Sequence, residues 1–376
     1  MRIPFNKPFI PWLAFRHLII GAHSGTIAGN GRYTKKCHAF FEKRFGFTKA
    51  LMTTSCSDAL EMSALLCRIE PGDEVIMPSF TFMSTANAFL IRGAKVVFAD
   101  TLPEFPNIDP AEIEKLVTPM TKAIVVVHYS GVACDMDRIM DIAQRNGLFV
   151  VEDAAHAIDS WYKGKPLGSI GHYGTFSFHE TKNIISGEGG LLIVNDRESV
   201  KRAEIIWEKG TNRAAFYRGE VDKYSWVDIG SSYLPSDAVA AFLYTQLLRF
   251  DRIQARRKKV WRNYYALLKP LEVTGFLKRP VIPDFATVNG NLFFITVKSA
   301  EVRDNLIAFL KTKGIIALFH YLPLHSSPYF IEKHDSRALP NTQRFSDCIV
   351  RLPFYNSLTG REARYVVSSV RQFFNQ

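Results

Sequence analysis

The sequence predicts an α/β fold, with a mainly parallel seven-stranded sheet covered by helices on both faces and a small C-terminal α/β domain. Two observations predict it. Short apolar runs rich in β-forming residues alternate with helical patterns between about residues 48 and 195. A long helical stretch then leads into a second group of alternating elements after about residue 270. We therefore expect a large domain over residues 1–248 and a small domain over residues 249–376.

The strands of the large domain are predicted, in chain order, from seven runs that are mostly separated by a helix. Parallel sheets bind ligands beyond the carboxyl ends of their strands. Polar side chains stand at or just beyond several of these ends, namely Asp100, His128, Asp153 and Ser177. We expect them to share one site. The runs are Ala50–Thr53, Glu74–Met77, Lys95–Ala99, Ala123–Val127, Leu148–Val151, Thr175–Phe178 and Leu191–Val194.

The rest of the chain is predicted as a docking helix, a connecting helix and the small domain. The apolar segment Phe9–Ile20 superficially resembles a signal sequence, but Pro11, Arg16 and His17 interrupt it, and it is too short and too polar to span a bilayer. We expect a helix that docks on the protein, with a subunit interface as one candidate place. Residues 236–265 are predicted as a long helix. The small domain is predicted to contain the strand Leu292–Val297, the helix Val302–Lys313 and the strand Ile315–Phe319.

Composition limits the class of protein. With 47% hydrophobic residues, the 376-residue chain can bury a large core, which excludes global disorder. The formal charge of +11 suits an anionic partner. The Lys and Arg residues are scattered, however, and the densest cluster, Arg256–Lys259, is interpreted as a solvated helix face. A diphosphate substrate would use this charge equally well, and we predict no nucleic-acid partner. Five widely spaced cysteines without a CxxC motif favour a reduced cytoplasmic protein and no metal site.

Lys182 and Asp153 carry the strongest chemical signal. Lys182 follows the run Phe176–His179 and precedes the glycine-rich turn Gly187–Gly190, whereas Asp153 ends another strand. An amine can condense with an aldehyde, and a carboxylate can pair with a protonated pyridine nitrogen, so the pair is typical of pyridoxal phosphate chemistry. Alone, Lys182 would be interpreted as a surface lysine, and Asp153 equally well as a helix cap. The motifs that flank Lys182, Phe176–His179 and Gly187–Gly190, argue against its being an ordinary surface lysine.

The other cofactor-binding groups give weaker signals. In Thr54–Leu60 a strand runs into small and hydroxylated residues that open a helix, where free amides and the helix dipole suit a phosphate, although ordinary capping is the alternative. Phe80–Phe82 could place a ring against a pyridine, although core packing is the commoner use of such residues. His156 could reach the cofactor's 3-oxygen or be a core histidine. No G-x-G-x-x-G, G-x-S-x-G or HExxH motif occurs, which argues against dinucleotide oxidoreductases and common hydrolases.

Several motifs, taken together and in order, resemble the DegT/DnrJ/EryC1/StrS sugar aminotransferases over nearly the whole chain. The resemblance implies the fold-type-I aminotransferase architecture and a homodimer with each active site at the interface. The motifs are Pro71–Ile76, Asp135–Asp137, Asp153–Ala157, Phe176–Lys182, Gly187–Gly190 and Tyr321–His325.

The resemblance also implies roles in binding pyridoxal phosphate. Lys182 would bond to the cofactor and move protons, and Asp153 would pair with the pyridinium. His156 would approach the 3-oxygen, and Phe82 would stack on the ring. The sequence departs from the family at Cys56-Ser57, where Gly-Thr is common, at Ser232, where an asparagine is common, and at Asn291, where a histidine is common. The phosphate would be held by Cys56, Ser57, Ser177 and, from the partner subunit, Ser232.

Within the family, four runs are most similar to one subgroup: Val127–Asp137, His179–Asn183, Glu208–Arg213 and Asp222–Trp226. That subgroup transfers the amino group of L-glutamate to C4 of dTDP-4-keto-6-deoxy-D-glucose, which gives dTDP-4-amino-4,6-dideoxy-D-galactose for enterobacterial common antigen. Candidates for contacts to the sugar or diphosphate, each of which could equally be a packing or interface residue, are Tyr33, His179, Lys209, Arg213, His320, Tyr321 and His325.

Three alternatives stay open. Motifs around the cofactor are shared within the family, so another sugar-nucleotide aminotransferase fits as well, acting at C3 or giving the gluco epimer at C4. The family's sugar dehydratases carry a histidine in place of the lysine, and Lys182 argues against them. A non-catalytic basic regulator on the same fold is suggested by the net charge, but no helix-turn-helix motif supports it.

Overall fold

The structure is a computed structural model that describes residues 1–23, 25 and 27–375. Its helices are α1 Leu13–His23, α2 Arg32–Phe45, α3 Cys56–Leu66, α4 Met83–Leu90, α5 Pro110–Leu116, α6 Met136–Asn146, α7 Val200–Trp207, α8 Arg213–Tyr217, α9 Asp237–Leu247, α10 Phe250–Val273, α11 Ala300–Thr312, α12 Pro340–Cys348 and α13 Gly360–Phe374. Its strands are β1 Lys49–Thr53, β2 Glu74–Pro78, β3 Lys95–Ala99, β4 Thr121–Val127, β5 Phe149–Asp153, β6 Trp161–Tyr162, β7 Lys165–Pro166, β8 Tyr173–Ser177, β9 Gly190–Val194, β10 Phe294–Thr296 and β11 Ile349–Arg351. Short 3-10 helices lie at Tyr129–Gly131, Arg197–Ser199 and Leu324–Ser326.

The central sheet confirms the mainly parallel arrangement. Within the described residues it has seven strands in the order β1-β9-β8-β5-β4-β2-β3. Neighbours from β8 to β3 pair in parallel, whereas β9 pairs antiparallel with β1 and β8. All seven predicted runs overlap these strands. The parallel strands β4, β5 and β8 therefore end at the same edge of the sheet.

Both faces of the sheet are buried, which explains why its strands are nearly continuous apolar runs. Successive residues of a strand point to opposite faces. In β4, Ile124 and Val126 pack into one core, whereas Ala123 and Val125 pack into the other. The first core includes residues of α2, α6 and α9, and the second includes residues of α3, α4 and α7. The helices thus form a layer on each side of the sheet.

The small α/β unit contains the antiparallel pair β10 and β11, which packs with α10, α11 and α13. The predicted strand at 292–297 and helix at 302–313 are present as β10 and α11. The predicted strand Ile315–Phe319 is wrong. Within the described residues this segment makes only isolated bridges, from Ile315 to Ile3 and from Leu318 to Arg351. The partner of β10 is instead β11, from far along the chain.

The predicted long helix over 236–265 is two helices, because α9 ends at Leu247 and α10 begins at Phe250. The first turn of α10 packs into the large-domain core through Phe250 and Ile253. Its later turns pack into the small-domain core through Val260 and Tyr264. Helix α10 therefore joins the two units, and the boundary at residue 248 stays a prediction.

The apolar amino-terminal segment forms α1, which packs against α9. The buried Tyr33 of α2 lies beside it, with its hydroxyl 3.0 Å from Nδ1 of His17. The outer side of the segment exposes Trp12, Phe15 and Ile19, and a subunit contact there stays a prediction. Among the described helices, none combines the length and apolar character needed to cross a bilayer.

Candidate active site

A cavity of about 470 Å³ opens at the sheet edge where β5 and β8 end. Asp153 is the last residue of β5 and Ser177 the last of β8, and both line it. The sequence-predicted residues that the fold brings together there are Cys56, Ser57, Phe82, Asp153, His156, Ser177, His179, Lys182, His320 and Tyr321.

Lys182 is held by a turn that follows β8. Its backbone N–H donates to the carbonyl of His179 at 2.9 Å, and Glu180 N–H donates to Gly187 O at 2.9 Å. Gly187 has φ +87°, a left-handed conformation that favours glycine and closes the turn. Burial lowers the pKa of Lys182 to about 8, and the nearby positive charge of Arg351 acts in the same direction. A large fraction of this amine is therefore neutral near pH 8.

Asp153 is buried, and two donors hold its carboxylate. Thr85 Oγ1 donates to Oδ2 at 2.7 Å, and Ala155 N–H donates to Oδ1 at 3.1 Å. Burial raises the pKa of Asp153, whereas these two hydrogen bonds and the positive charge of Lys182 oppose the rise. A cationic ring nitrogen in the cavity would favour the ionised carboxylate further.

The first turn of α3 offers unpaired backbone amides. Ser55 caps the helix by accepting from Asp58 N–H at 3.1 Å. Between Ser55 and Asp58, the backbone N–H groups of Cys56 and Ser57 lie in the first turn, where they have no intrahelical acceptors. Gly190 lies against this turn so closely that a Cβ would approach Cys56 N to 2.6 Å. Ser57 Oγ donates to Ser84 Oγ at 2.7 Å. This turn can bind an anion.

Arg351 is a cavity residue that the sequence does not predict. It ends β11, and one of its terminal nitrogens donates to Nε2 of His320. Its Nε is buried without a hydrogen-bond partner, and no described carboxylate forms an ion pair with it. Burial lowers the pKa of this guanidinium. A positive charge desolvated in this way calls for an anionic ligand.

Aromatic side chains form one wall of the cavity. The Phe82 ring is half-exposed and lies 6.4 Å from the Tyr321 ring. Tyr321 stacks on His320 with ring centroids 3.9 Å apart. His320 Nε2 accepts from Arg351, so its proton lies on Nδ1, which is buried and has no partner in the described structure. This wall offers flat apolar surfaces to a ligand.

Five sequence-predicted residues lie outside the cavity of this chain. Tyr33 is buried beside α1. Lys209 is exposed between α7 and α8, and Ser232 is exposed between α8 and α9. Arg213 binds Glu208 at 3.3 Å and the hydroxyl of Tyr217 at 3.1 Å. The Nδ1 of His325 lies 2.8 Å from Ser79 Oγ.

The expectation that Asp100 and His128 share the site is wrong. Asp100 instead accepts backbone N–H groups of Asn341 and Thr342 in α12, at 3.0 and 2.8 Å. His128 is buried against Glu152, with Nε2 3.0 Å from Oε2. Both side chains therefore organise the fold around the cavity and do not line it.

The residues present fit pyridoxal phosphate. The α3 turn, with its free amides and the close approach of Gly190, suits the phosphate. Asp153 suits the ring nitrogen and Lys182 the aldehyde, and both line the same cavity. Phe82 offers a ring to stack on. Cys56 stands where a glycine is common, but burial raises the pKa of its thiol, so it adds no negative charge beside the phosphate position.

Comparisons with known proteins identify the family and the fold of the chain. The model of the DegT/DnrJ/EryC1/StrS aminotransferase family matches residues 17–371. The spore coat polysaccharide biosynthesis protein SpsC of Bacillus subtilis is 35% identical over 382 aligned positions, covering 98% of this chain and 96% of that protein. The aminotransferase TlmJ from Streptoalloteichus hindustanus superposes with a TM-score of 0.91 at 27% identity, over 100% of this chain and 99% of that one. An aminotransferase from Psychrobacter cryohalolentis gives 0.93 at 25% identity, over 99% of each chain.

Proposed function

Because the chain belongs to the DegT/DnrJ/EryC1/StrS aminotransferase family, we propose that it transfers the amino group of L-glutamate to C4 of dTDP-4-keto-6-deoxy-D-glucose. The products are dTDP-4-amino-4,6-dideoxy-D-galactose and 2-oxoglutarate. Members of this family of sugar aminotransferases depend on pyridoxal phosphate. The observation that carries the proposal is that one cavity holds an amine of lowered pKa, a buried carboxylate and a guanidinium that no described carboxylate pairs with.

In this proposal, the cofactor is held from three sides. Bound pyridoxal phosphate supplies an aldehyde carbon that takes up the amino group and a ring that withdraws electrons. Asp153 pairs with the ring nitrogen, and His156 donates from Nε2 to the 3-oxygen. The phosphate is bound by Cys56 and Ser57 N–H groups and the Ser177 hydroxyl.

Lys182 is the proposed catalytic base. A neutral amine at Nζ can take a proton from the α-carbon of the amino donor and hold it. With a pKa of about 8, Nζ is neutral often enough near pH 8 and remains basic enough to accept the proton. The backbone bond from Lys182 N–H to His179 O fixes where the side chain starts.

Arg351 is the proposed binding group for the carboxylate of the amino donor. Its guanidinium lies above the ring of Phe5, 4.7 Å from the centroid, so its orientation is restricted. A planar guanidinium and a carboxylate form paired, charge-assisted hydrogen bonds. Arg351 lines the cavity, so the charge of its guanidinium can pair with a bound carboxylate. This arrangement supports an amino acid as the donor.

A homodimer is part of the proposal, because several expected substrate residues lie outside the cavity of this chain. Ser232, Lys209 and Arg213 belong to the segment between α7 and α9, which includes α8 and exposes Trp226 at 82% and Ile229 at 47%. Such exposed apolar side chains are typical of a surface covered by another subunit. We propose that this segment reaches the cavity of a second copy. The proposed setting is the cytoplasm, with the product feeding enterobacterial common antigen.

The experiment that tests the proposed reaction is an NMR structure of the product. Purified protein is incubated with pyridoxal phosphate, L-glutamate and dTDP-4-keto-6-deoxy-D-glucose, with the Lys182→Ala variant as the matched control. An axial amine at C4, formed only by the unaltered protein, is expected. An equatorial C4 amine, an amine at C3 or no product would contradict the substrate or its stereochemistry.

A further inference from the structure

We propose that Thr85 is a positioning residue, which keeps the Asp153 carboxylate ionised and so keeps the ring nitrogen of the bound cofactor protonated. This inference rests on the part of the proposed function that pairs Asp153 with that nitrogen. Thr85 stands in the first turn of α4, and its side chain is fully buried. Its hydroxyl is the only side-chain donor to the carboxylate among the described residues.

A second hydroxyl extends this hydrogen bond into a chain. Thr81 Oγ1 lies 2.8 Å from Thr85 Oγ1, which in turn lies 2.7 Å from Asp153 Oδ2. An ionised carboxylate only accepts, and a hydroxyl has one proton. Thr85 therefore gives its proton to Asp153 and accepts the proton of Thr81. When Asp153 is ionised, both hydrogen bonds point toward its charge, whereas a proton on Oδ2 would require both to reverse.

Burial makes this donor important. The sheet and helices around Asp153 desolvate it and raise its pKa, and the Thr85 hydroxyl is the largest of the influences that oppose the rise. A neutral Asp153 would no longer attract a positive charge on the ring nitrogen. The ring would then withdraw electrons less strongly when a proton leaves the substrate carbon.

Thr85 also links the Asp153 carboxylate to Phe82, the ring proposed to stack on the cofactor. Its backbone N–H donates to Phe82 O at 3.1 Å, and Phe82 is the N-cap of α4. The same turn thus carries the ring proposed to stack on the cofactor and the hydroxyl that orients Asp153. A β-branched side chain in a helix has few rotamers, which keeps this hydroxyl in place.

The test measures the ring nitrogen itself. Each protein is loaded with pyridoxal phosphate labelled with 15N in the ring, and its 15N chemical shift is recorded across pH. The variants are Thr85→Val, which removes the hydroxyl while keeping the shape, and Thr85→Ser, which keeps the hydroxyl. The matched control is Thr245→Val, because Thr245 is another fully buried helical threonine, whose hydroxyl bonds to Ala241 O at 3.0 Å away from the cavity.

We expect Thr85→Val to move the 15N signal toward the unprotonated form and to lower kcat by about ten- to hundredfold, the loss typical of one hydrogen bond to a charged group. Thr85→Ser is expected to retain the 15N signal of the protonated nitrogen and most of the kcat. Thr245→Val is expected to leave the 15N signal unchanged. A folded, cofactor-loaded Thr85→Val protein with an unchanged signal would overturn the inference. If the unaltered protein bound the labelled cofactor with an unprotonated nitrogen, the proposed role of Asp153 would fail instead.

Discussion

The backbone N–H of Ser130 donates a 3.3 Å hydrogen bond to Nδ1 of His156. Ser130 has φ 58°, a left-handed conformation that is costly for a residue other than glycine, so the surrounding fold holds this amide in place. Burial lowers the pKa of His156 well below its ordinary value, which leaves the ring neutral. Because Nδ1 accepts, the ring proton lies on Nε2. His156 therefore presents one N–H donor to the cavity.

We predict that His156→Phe weakens the binding of pyridoxal phosphate. A hydrogen bond to a charged oxygen contributes about 1.5–3 kcal/mol, so the dissociation constant should rise at least tenfold. His156→Gln, which keeps an N–H donor, should lose less. Titration of the cofactor-free proteins with pyridoxal phosphate measures both. Equal affinities of the unaltered protein and His156→Phe for pyridoxal phosphate would contradict the proposed hydrogen bond from His156 to the 3-oxygen.

The reaction of cofactor-free protein with pyridoxal phosphate should depend on pH through Lys182. Only the neutral amine attacks an aldehyde, and burial lowers the pKa of Lys182 to about 8. The rate should therefore rise with pH up to about 8 and level off above it. The ordinary lysine pKa would place that midpoint near 10.4. Stopped-flow absorbance measures the profile, and a rate still rising steeply above pH 9.5 would contradict a lowered pKa.

Arg351 should shift that midpoint, because its positive charge contributes to the lowered pKa of Lys182. In Arg351→Gln this contribution disappears, so the midpoint should move upward. The same stopped-flow profile reports it. A midpoint that stayed in place, or moved down, would show that the two groups do not interact in the cavity.

Arg351→Gln should also raise the KM for L-glutamate about ten- to hundredfold, since the donor carboxylate would lose a charge-assisted partner. The KM for the keto sugar should change much less. The matched control is Arg279→Gln, which alters another small-domain guanidinium, one that is bound to Glu272 outside the cavity. Steady-state kinetics, with each substrate varied in turn, measures the two KM values. An unchanged KM for L-glutamate in Arg351→Gln would refute the role of Arg351 in binding the donor carboxylate.

Lys182→Ala should abolish multiple turnover while the fold survives. Lys182 lies in a turn whose hydrogen bonds involve the backbone, so its side chain is not needed to close it. Circular dichroism checks the fold and product assays check turnover. Appreciable multiple turnover by the Lys182→Ala variant would contradict the proposed catalytic role of Lys182.

The sequence predicts the sheet edge well, because β5 and β8 are apolar runs whose ends carry Asp153 and Ser177. It does not predict Arg351, which ends a three-residue strand that pairs with β10 from more than fifty residues away. The one available signal was a lone cation inside the apolar run Ile349–Leu352. Asp100 was misassigned because a strand-end carboxylate can equally accept from helix α12, and local sequence does not encode that packing.

Ser232, Lys209 and Arg213 show a different limit. The predicted role of Ser232 involves a second copy of the chain, and the fold of one copy leaves all three residues outside its own cavity. The sequence of one chain does not show directly which surfaces of two subunits contact each other. Their assignment therefore depends on the dimer, whose size can be checked by sedimentation of the purified protein.

The most direct test of Lys182 as the cofactor lysine is chemical trapping. The protein is loaded with pyridoxal phosphate, reduced with borohydride and digested, and the peptides are sequenced by mass spectrometry. We predict a stable cofactor adduct on the peptide that contains Lys182, and its absence from Lys182→Ala. An adduct on another lysine, or none in protein that retains transaminase activity, would contradict the proposed active site.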